Sequence, residues 1–345
     1  MTLLADLLST VFERRYRRGA AGAALDGRPL TELADALVGS AGETSGLALA
    51  EEILTRFDAL ADDEKLEFFR FLATAMNIDP DAVRSSLDAY ERDPSKATYR
   101  SFAAAVEPAR QELIRRLNRV PGATGALVQM RADLLRLGGK EPELQALDLD
   151  FRHLFASWFN RGFLVLRPIN WKSPAHILEK IIAYEAVHAI DSWDDLRRRL
   201  EPTDRRCFAF FHPAMPDEPL IFVEVALNQG IPGSVQALLA EDRDPLPQDQ
   251  ADTAVFYSIS NCQAGLASIS FGNSLIKQVA SDLAAELSGL RTFVTLSPIP
   301  GLSQWLTQEK IEWDIEKPDQ MKALAAHYLL NAKGRGKMPF DPVAR

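Results

Sequence analysis

Apolar residues recur at three- and four-residue spacings up to about residue 155, and this spacing predicts helices throughout. Leu3, Leu4, Leu7, Leu8 and Val11 share one helical face. Asp62-Asp63-Glu64 opens another helix, which turns Leu66, Phe69 and Ala73 inward. Asp79-Pro80 and Asp93-Pro94 read as N-cap-plus-proline starts, because the side chain caps free amides and proline needs no N–H donor there. Glu107-Pro108 is a further start. Thr124 reads as the cap of a helix carrying Leu127, Met130, Leu134 and Leu137, which Gly138-Gly139 stops.

The pattern changes near Arg161-Gly162. Phe163-Leu164-Val165-Leu166 reads as a short strand, and Ser173-Pro174 starts a helix through Ile177, Ile181 and Ile182. Asp191 to Leu200 reads as a second helix. Cys207 to Phe211 and Leu220 to Leu227 are strand runs joined by HPAMPDEP, a long connection for an antiparallel hairpin. Residues 228–250 form a connector that Pro245-Leu246-Pro247 leaves extended. Val255 to Ser260 is a β-branched and aromatic strand, followed by a small-residue loop closed by Gly272-Asn273. A helix from about Ser274 to Leu287 and a strand from Arg291 to Leu296 follow, ending in Ser297-Pro298-Ile299-Pro300-Gly301. Beyond it lie a short helix around Trp305 and a longer one from Asp319 to Leu330. The resulting fold class is α+β: an N-terminal all-α helical bundle over 1–155, then an α/β domain with a mixed central sheet over 156–345.

Strand, loop, helix and strand is an order that offers helix N-terminal amides to a phosphate. The small residues of Ala267-Ser268-Ile269-Ser270-Phe271-Gly272-Asn273 permit close backbone approach to a pyrophosphate. The same loop also reads as a plain helix entry capped by Asn273. Lys277 reads equally as a phosphate contact and as a solvated lysine.

Composition narrows the classes. The chain has 345 residues, 47% of them hydrophobic and 25% charged, as in an ordinary globular protein. No apolar run approaches the ~20 residues of a membrane span. The N-terminus lacks the basic n-region of a signal peptide and reads as an amphipathic helix. A net charge of −9 argues against broad nucleic-acid binding, so an anionic ligand requires a local basic patch. Cys207 and Cys262 imply no disulfide framework, lack metal-ligand spacing and fit a reducing cytoplasm.

Six segments in register carry a resemblance: FNRGFLVLRPINWKSPAHILEKI, EAVHAIDSWDDLRRRL, RRCFAFFHPAMPDEPLIFVEVAL, FYSISNCQAGL, FGNSLIKQV and LSPIPGL. In this order they resemble the catalytic domain of the malonyl-CoA decarboxylase family, from about Phe159 onward. That domain is similar to the GNAT acyltransferases, which hold coenzyme A on a strand–loop–helix unit. The GNAT pyrophosphate pattern is matched loosely by Ile269 to Ser274. From its residues alone, Ser297 is a turn residue held extended by the following proline. The resemblance makes it the catalytic serine. It makes Ser258, otherwise an ordinary strand serine, a substrate contact, and it assigns the loop from Ala267 to Asn273 to coenzyme A. Ser270 stands where animal members carry a glutamate.

The resemblance implies conversion of malonyl-CoA to acetyl-CoA and CO2, with no metal or organic cofactor because the thioester is the electron sink. It also implies a homo-oligomer, a dimer or tetramer, assembled through the helical domain. Neither nucleic acid nor membrane is an expected partner. The family's catalytic histidine follows a segment like Asp341-Pro342-Val343-Ala344, and the sequence ends at Arg345. The expectation is therefore a chain that continues past Arg345 and supplies that histidine. His153, His176, His188, His212 and His327 lack the spacing of a helix-borne zinc site and read as surface or satisfied histidines. Two other readings stay open: a GNAT-type acyltransferase, and a non-catalytic coenzyme A-binding assembly protein.

Overall fold

The computed structural model describes residues 27–40, 42–139, 141–269, 271–297 and 305–307. The expected helices at the N-terminus and over 319–330, like His327, lie outside these residues.

Eight helices build the first part among the described residues: α1 (Leu30–Gly39), α2 (Glu43–Asp58), α3 (Asp62–Thr74), α4 (Pro80–Arg92), α5 (Lys96–Ala105), α6 (Ala109–Leu117), α7 (Ala123–Leu137) and α8 (Pro142–Trp158). The expected inward face of α3 is present, with Phe69 and Ala73 buried and Leu66 packed against the core. Asp79 caps α4 as expected, accepting from the amides of Asp81 and Ala82. Two expected caps are corrected. Asp93 instead closes α4, and Ser95 caps α5 through its reciprocal bonds with Thr98, a geometry that needs a hydroxyl three residues before its partner. Gly122, at φ +80°, precedes α7, and Thr124 lies inside the helix with its hydroxyl bound to Asn118.

The second part is a five-stranded mixed sheet in the order β1 (Val165–Ile169), β2 (Arg205–His212), β3 (Met215–Asn228), β4 (Thr253–Asn261) and β5 (Thr292–Thr295). The first three pairings are antiparallel and β4–β5 is parallel. The expected strand at Phe163 starts later. Asn160 accepts from the Gly162 amide and folds Arg161–Phe163 into a 3₁₀ turn. Pro168 is tolerated because β1 is an edge strand. The long hairpin connection also shortens: His212 pairs with Met215, and register shifts near Phe211 absorb the irregular, proline-bearing stretch.

Both faces of the sheet are covered. α12 (Gly272–Glu286) sends Leu275, Val279 and Leu283 into the core that holds Phe208, Ile221, Val223 and Phe256. That core also contains Leu127, Phe151 and Phe155, so the helical part and one sheet face share a continuous apolar interior. On the other face, α9 (Ala175–Tyr184) and α10 (Trp193–Leu200) pack Ile177, Ile181 and Leu196 against Cys207, Phe211 and Phe222. The short helix α11 (Val235–Leu239) brings Leu238 beside Ala226, Val255 and Tyr257. Near-continuous burial along β2 to β4 is what covering helices on both faces require. The domain is thus a mixed sheet, covered on both faces, following a helical region.

Candidate active site

The parallel pair β4–β5 opens into a fork. Its ladder runs from Thr253 opposite Thr292 to Phe256 opposite Thr295, and a last bond joins the Leu296 amide to the Phe256 carbonyl at 2.9 Å. β4 continues to Asn261, whereas β5 stops at Thr295. Ser297, one residue beyond that last bond, is exposed at the mouth of the fork. The loop leaving β4 enters α12, and parallel pairing puts the ends of both strands on one edge of the sheet. Ser297 and the loop that enters α12 thus both follow the C-terminal ends of neighbouring parallel strands.

Among the described residues no side chain caps α12. Phe271 occupies its N-cap position without a capping bond, and the first turn carries no acidic residue. Its leading amides thus lack intrahelical partners and carry the positive end of the helix dipole. Ser268, before it, has φ +65°, a conformation uncommon for a residue with a Cβ and concentrated at functional sites. Beside these elements lies a cavity of about 580 Å³. Ser268, Ile269, Phe271 and Ser274 form one wall. Arg152 and His153 of α8, with Asn160 and Arg161 just after it, form the other. Among the described residues no acidic side chain lines this cavity. The buried Arg152 Nε finds no acceptor among the described residues, and Arg161 donates to Gln278 of α12 at 3.0 Å. This is the local basic patch that a chain of net charge −9 needs for an anion.

On the opposite face of the sheet, a polar cluster follows α9. Glu185 accepts from the amides of Val187 and His188, both at 2.8 Å. It also accepts from the hydroxyls of Ser258 at 2.7 Å and Ser260 at 3.2 Å. Arg199 donates to the carbonyls of His188 and Ala189 and to Asp195, and lies 3.4 Å from Glu224. Glu224 is fully buried in β3, and burial, reinforced by the Glu185 charge, raises its pKa to about 8 against the pull of Arg199. Opposite it, a bulge leaves Tyr257 between Phe256, paired with Val225, and Ser258, paired with Glu224. The Tyr257 hydroxyl, buried like Glu224, belongs to the same cluster and works against the rise in that carboxyl's pKa.

Comparison with known proteins gives the family. Residues 162–318 match the malonyl-CoA decarboxylase C-terminal domain, and residues 76–159 match the malonyl-CoA decarboxylase N-terminal domain. The malonyl-CoA decarboxylase of Rhodopseudomonas palustris is 47% identical, superposes with a TM-score of 0.83, and is aligned over 91% of this chain and 83% of its own. That of Agrobacterium vitis is 47% identical with a TM-score of 0.77, over 88% of this chain and 79% of its own. This chain belongs to the malonyl-CoA decarboxylase family. The mitochondrial malonyl-CoA decarboxylase of Anser anser anser is 40% identical over 206 residues, which is 58% of this chain and 40% of that protein. The match thus spans about two fifths of that curated relative.

As a member of the malonyl-CoA decarboxylase family, the chain can be compared residue by residue with its expected site. Ala267, Ser268, Ile269, Phe271, Gly272 and Asn273 form the turn into α12, with Asn273 inside the helix rather than capping it. Ser270 lies outside the described residues. Ser258 sits in β4 with its hydroxyl engaged by Glu185 rather than free. His212 is satisfied structurally: one ring nitrogen meets the Trp158 carbonyl, the other accepts from Ala214, and burial lowers its pKa. Sequence reasoning missed Arg152 and Arg161, which line the cavity opposite the loop although they lie over 100 positions before it, without a local signal. It also missed Glu224, although a carboxylate inside the apolar run PLIFVEVAL was a signal.

Proposed function

We propose that this protein decarboxylates malonyl-CoA to acetyl-CoA and CO2. The observation that carries the reading is the cavity at the start of α12, lined by Arg152 and Arg161 and, among the described residues, by no acid, in a member of this family. Helix amides and guanidinium groups together suit the phosphates of coenzyme A. The fork between β4 and β5 then leaves room for the extended thiol arm to run toward Ser297.

In this reading the C–C bond electrons of the malonyl group flow into the thioester carbonyl as CO2 leaves. The enolate needs a donor fixed where charge develops, and Ser297 supplies it. Cα then takes up a proton. A serine hydroxyl is too weak an acid at neutral pH to deliver it alone, so a histidine partner relays it. The family resemblance puts that histidine after Asp341-Pro342-Val343-Ala344, outside the described residues. The reaction needs no redox step, and assembly through the helical region belongs to the same reading.

The test incubates the purified native protein with malonyl-CoA and no amine, and follows CO2 and acetyl-CoA. Equal release of both is expected. Acyl transfer only on adding an amine would assign an acyltransferase, and coenzyme A binding without turnover a non-catalytic protein.

A further inference from the structure

Arg131 lies in α7, in the helical region, and is only 1% exposed. Its Nε donates to Asp148 of α8 at 2.7 Å. Its Nη1 reaches out of the helical region to two carbonyls of the loop after β4, those of Gly265 at 2.7 Å and Ala267 at 3.0 Å. The contact is close along its length. A Cβ on Gly265 would stand 1.8 Å from the Val128 carbonyl oxygen, so only glycine lets the loop seat against α7.

Peptide planarity turns this grip into an orientation. In a trans peptide the carbonyl and the following N–H point in opposite directions. With the Ala267 carbonyl drawn to Arg131, the Ser268 N–H is directed away from it. Ser268 lines the cavity, holds φ +65°, and its N–H finds no acceptor among the described residues. The neighbouring amides are already used: Leu266 bonds Gln263, Ala267 bonds Ala264, and Ile269 bonds Leu266.

We infer that Arg131 is a positioning residue of the ligand site, fixing the 267–268 peptide so that the Ser268 amide is offered to an anionic group in the cavity beside α12. The inference rests on the reading of this loop as the coenzyme A phosphate site. It gives the helical region a role in affinity, beyond packing or assembly. Arginine suits the task because its planar fork serves Asp148 and the loop carbonyls at once, which a lysine ammonium cannot.

The experiment compares Arg131→Met, Arg131→Lys and Arg110→Met in the full-length protein. Arg110 is the matched control: it is 4% exposed and ties Asp150 and the Ala73 carbonyl without touching the loop. Coenzyme A affinity is measured by calorimetry, KM and kcat with malonyl-CoA, and amide exchange at Leu266, Ala267 and Ile269. Arg131→Met is expected to weaken affinity and raise KM about tenfold, with kcat within about threefold, and Arg131→Lys to fall between it and wild type. Loop exchange should speed up in both Arg131 variants and not in Arg110→Met. Equal effects of the two methionine variants on KM, or unchanged loop exchange, would overturn the inference. If Arg131→Met does not fold, Arg131→Lys decides by the same comparison. Failure of the wild type to bind coenzyme A would instead remove the ligand reading, and loop exchange would still report the grip of Arg131.

Discussion

The hydroxyl of Ser258 lies 2.8 and 2.7 Å from the two carboxylate oxygens of Glu185. A serine has one proton to give, so this contact occupies it. The same carboxylate binds Ser260 and two backbone amides, and so fastens the turn after α9 to β4. Ser258→Ala should therefore act on stability first. Losing a donor to a carboxylate in a part-buried setting costs about 1.5–3 kcal/mol, to be read from urea unfolding. KM for malonyl-CoA should stay within about threefold. A large rise in KM at unchanged stability would return Ser258 to the substrate.

Glu224 gives a pH dependence of defined sign. Its carboxyl has an ordinary value of 4.5 and is raised to about 8 in the fold, chiefly by burial. Between these values the folded state holds a proton that the unfolded state has lost, so stability falls as pH rises. The protein should unfold at lower urea at pH 8.5 than at pH 5.5, with this group contributing on the order of a few kcal/mol. Glu224→Gln should flatten that part of the profile. An identical slope in wild type and variant would show that Glu224 does not set it.

The parts legible in the sequence are those written in local pattern. The β-branched and aromatic run Val255–Ser260, the Gly272-Asn273 pair at the start of α12 and the apolar spacing of Leu275, Val279 and Leu283 define β4 and α12 without reference to anything distant. Capping was legible where an aspartate directly preceded the helix, at Asp79. It was misread at Asp93, because Ser95 was the better-placed acceptor for Thr98. The site was less legible because it is assembled across the chain. Arg131 lies on the face of α7 that carries Leu127 and Leu134, so an arginine at a buried helical position was a signal, but the loop carbonyls it binds lie more than 130 residues on. Glu185 looks like any helix-terminal glutamate until β4 brings Ser258 and Ser260 to it.

Arg152 and Arg161 should govern affinity through charge. Both line the cavity beside α12, and no acidic group among the described residues there competes for them. Replacing either with glutamine should weaken coenzyme A binding by about tenfold, the scale of one charge-assisted hydrogen bond. The double variant should also lose most of the salt dependence of binding. Calorimetry at low and high salt checks this, and wild-type affinity in the double variant would move the phosphate site elsewhere.

Ser297 should govern turnover rather than affinity. It stands one residue past the last β4–β5 bond and is exposed. The phosphates and the reacting carbonyl lie at opposite ends of coenzyme A thioesters, so a residue at the fork and one at the helix start serve different parts of the ligand. Removing the hydroxyl leaves the phosphate contacts intact and takes away a donor used most when the enolate charge develops. Ser297→Ala in the native protein should lower kcat on the order of a hundredfold, while coenzyme A affinity stays within about threefold. Stopped-flow CO2 release and calorimetry on one preparation separate the two quantities. A variant that turns over at the wild-type rate would remove Ser297 from the chemistry and leave the fork as a binding cleft alone.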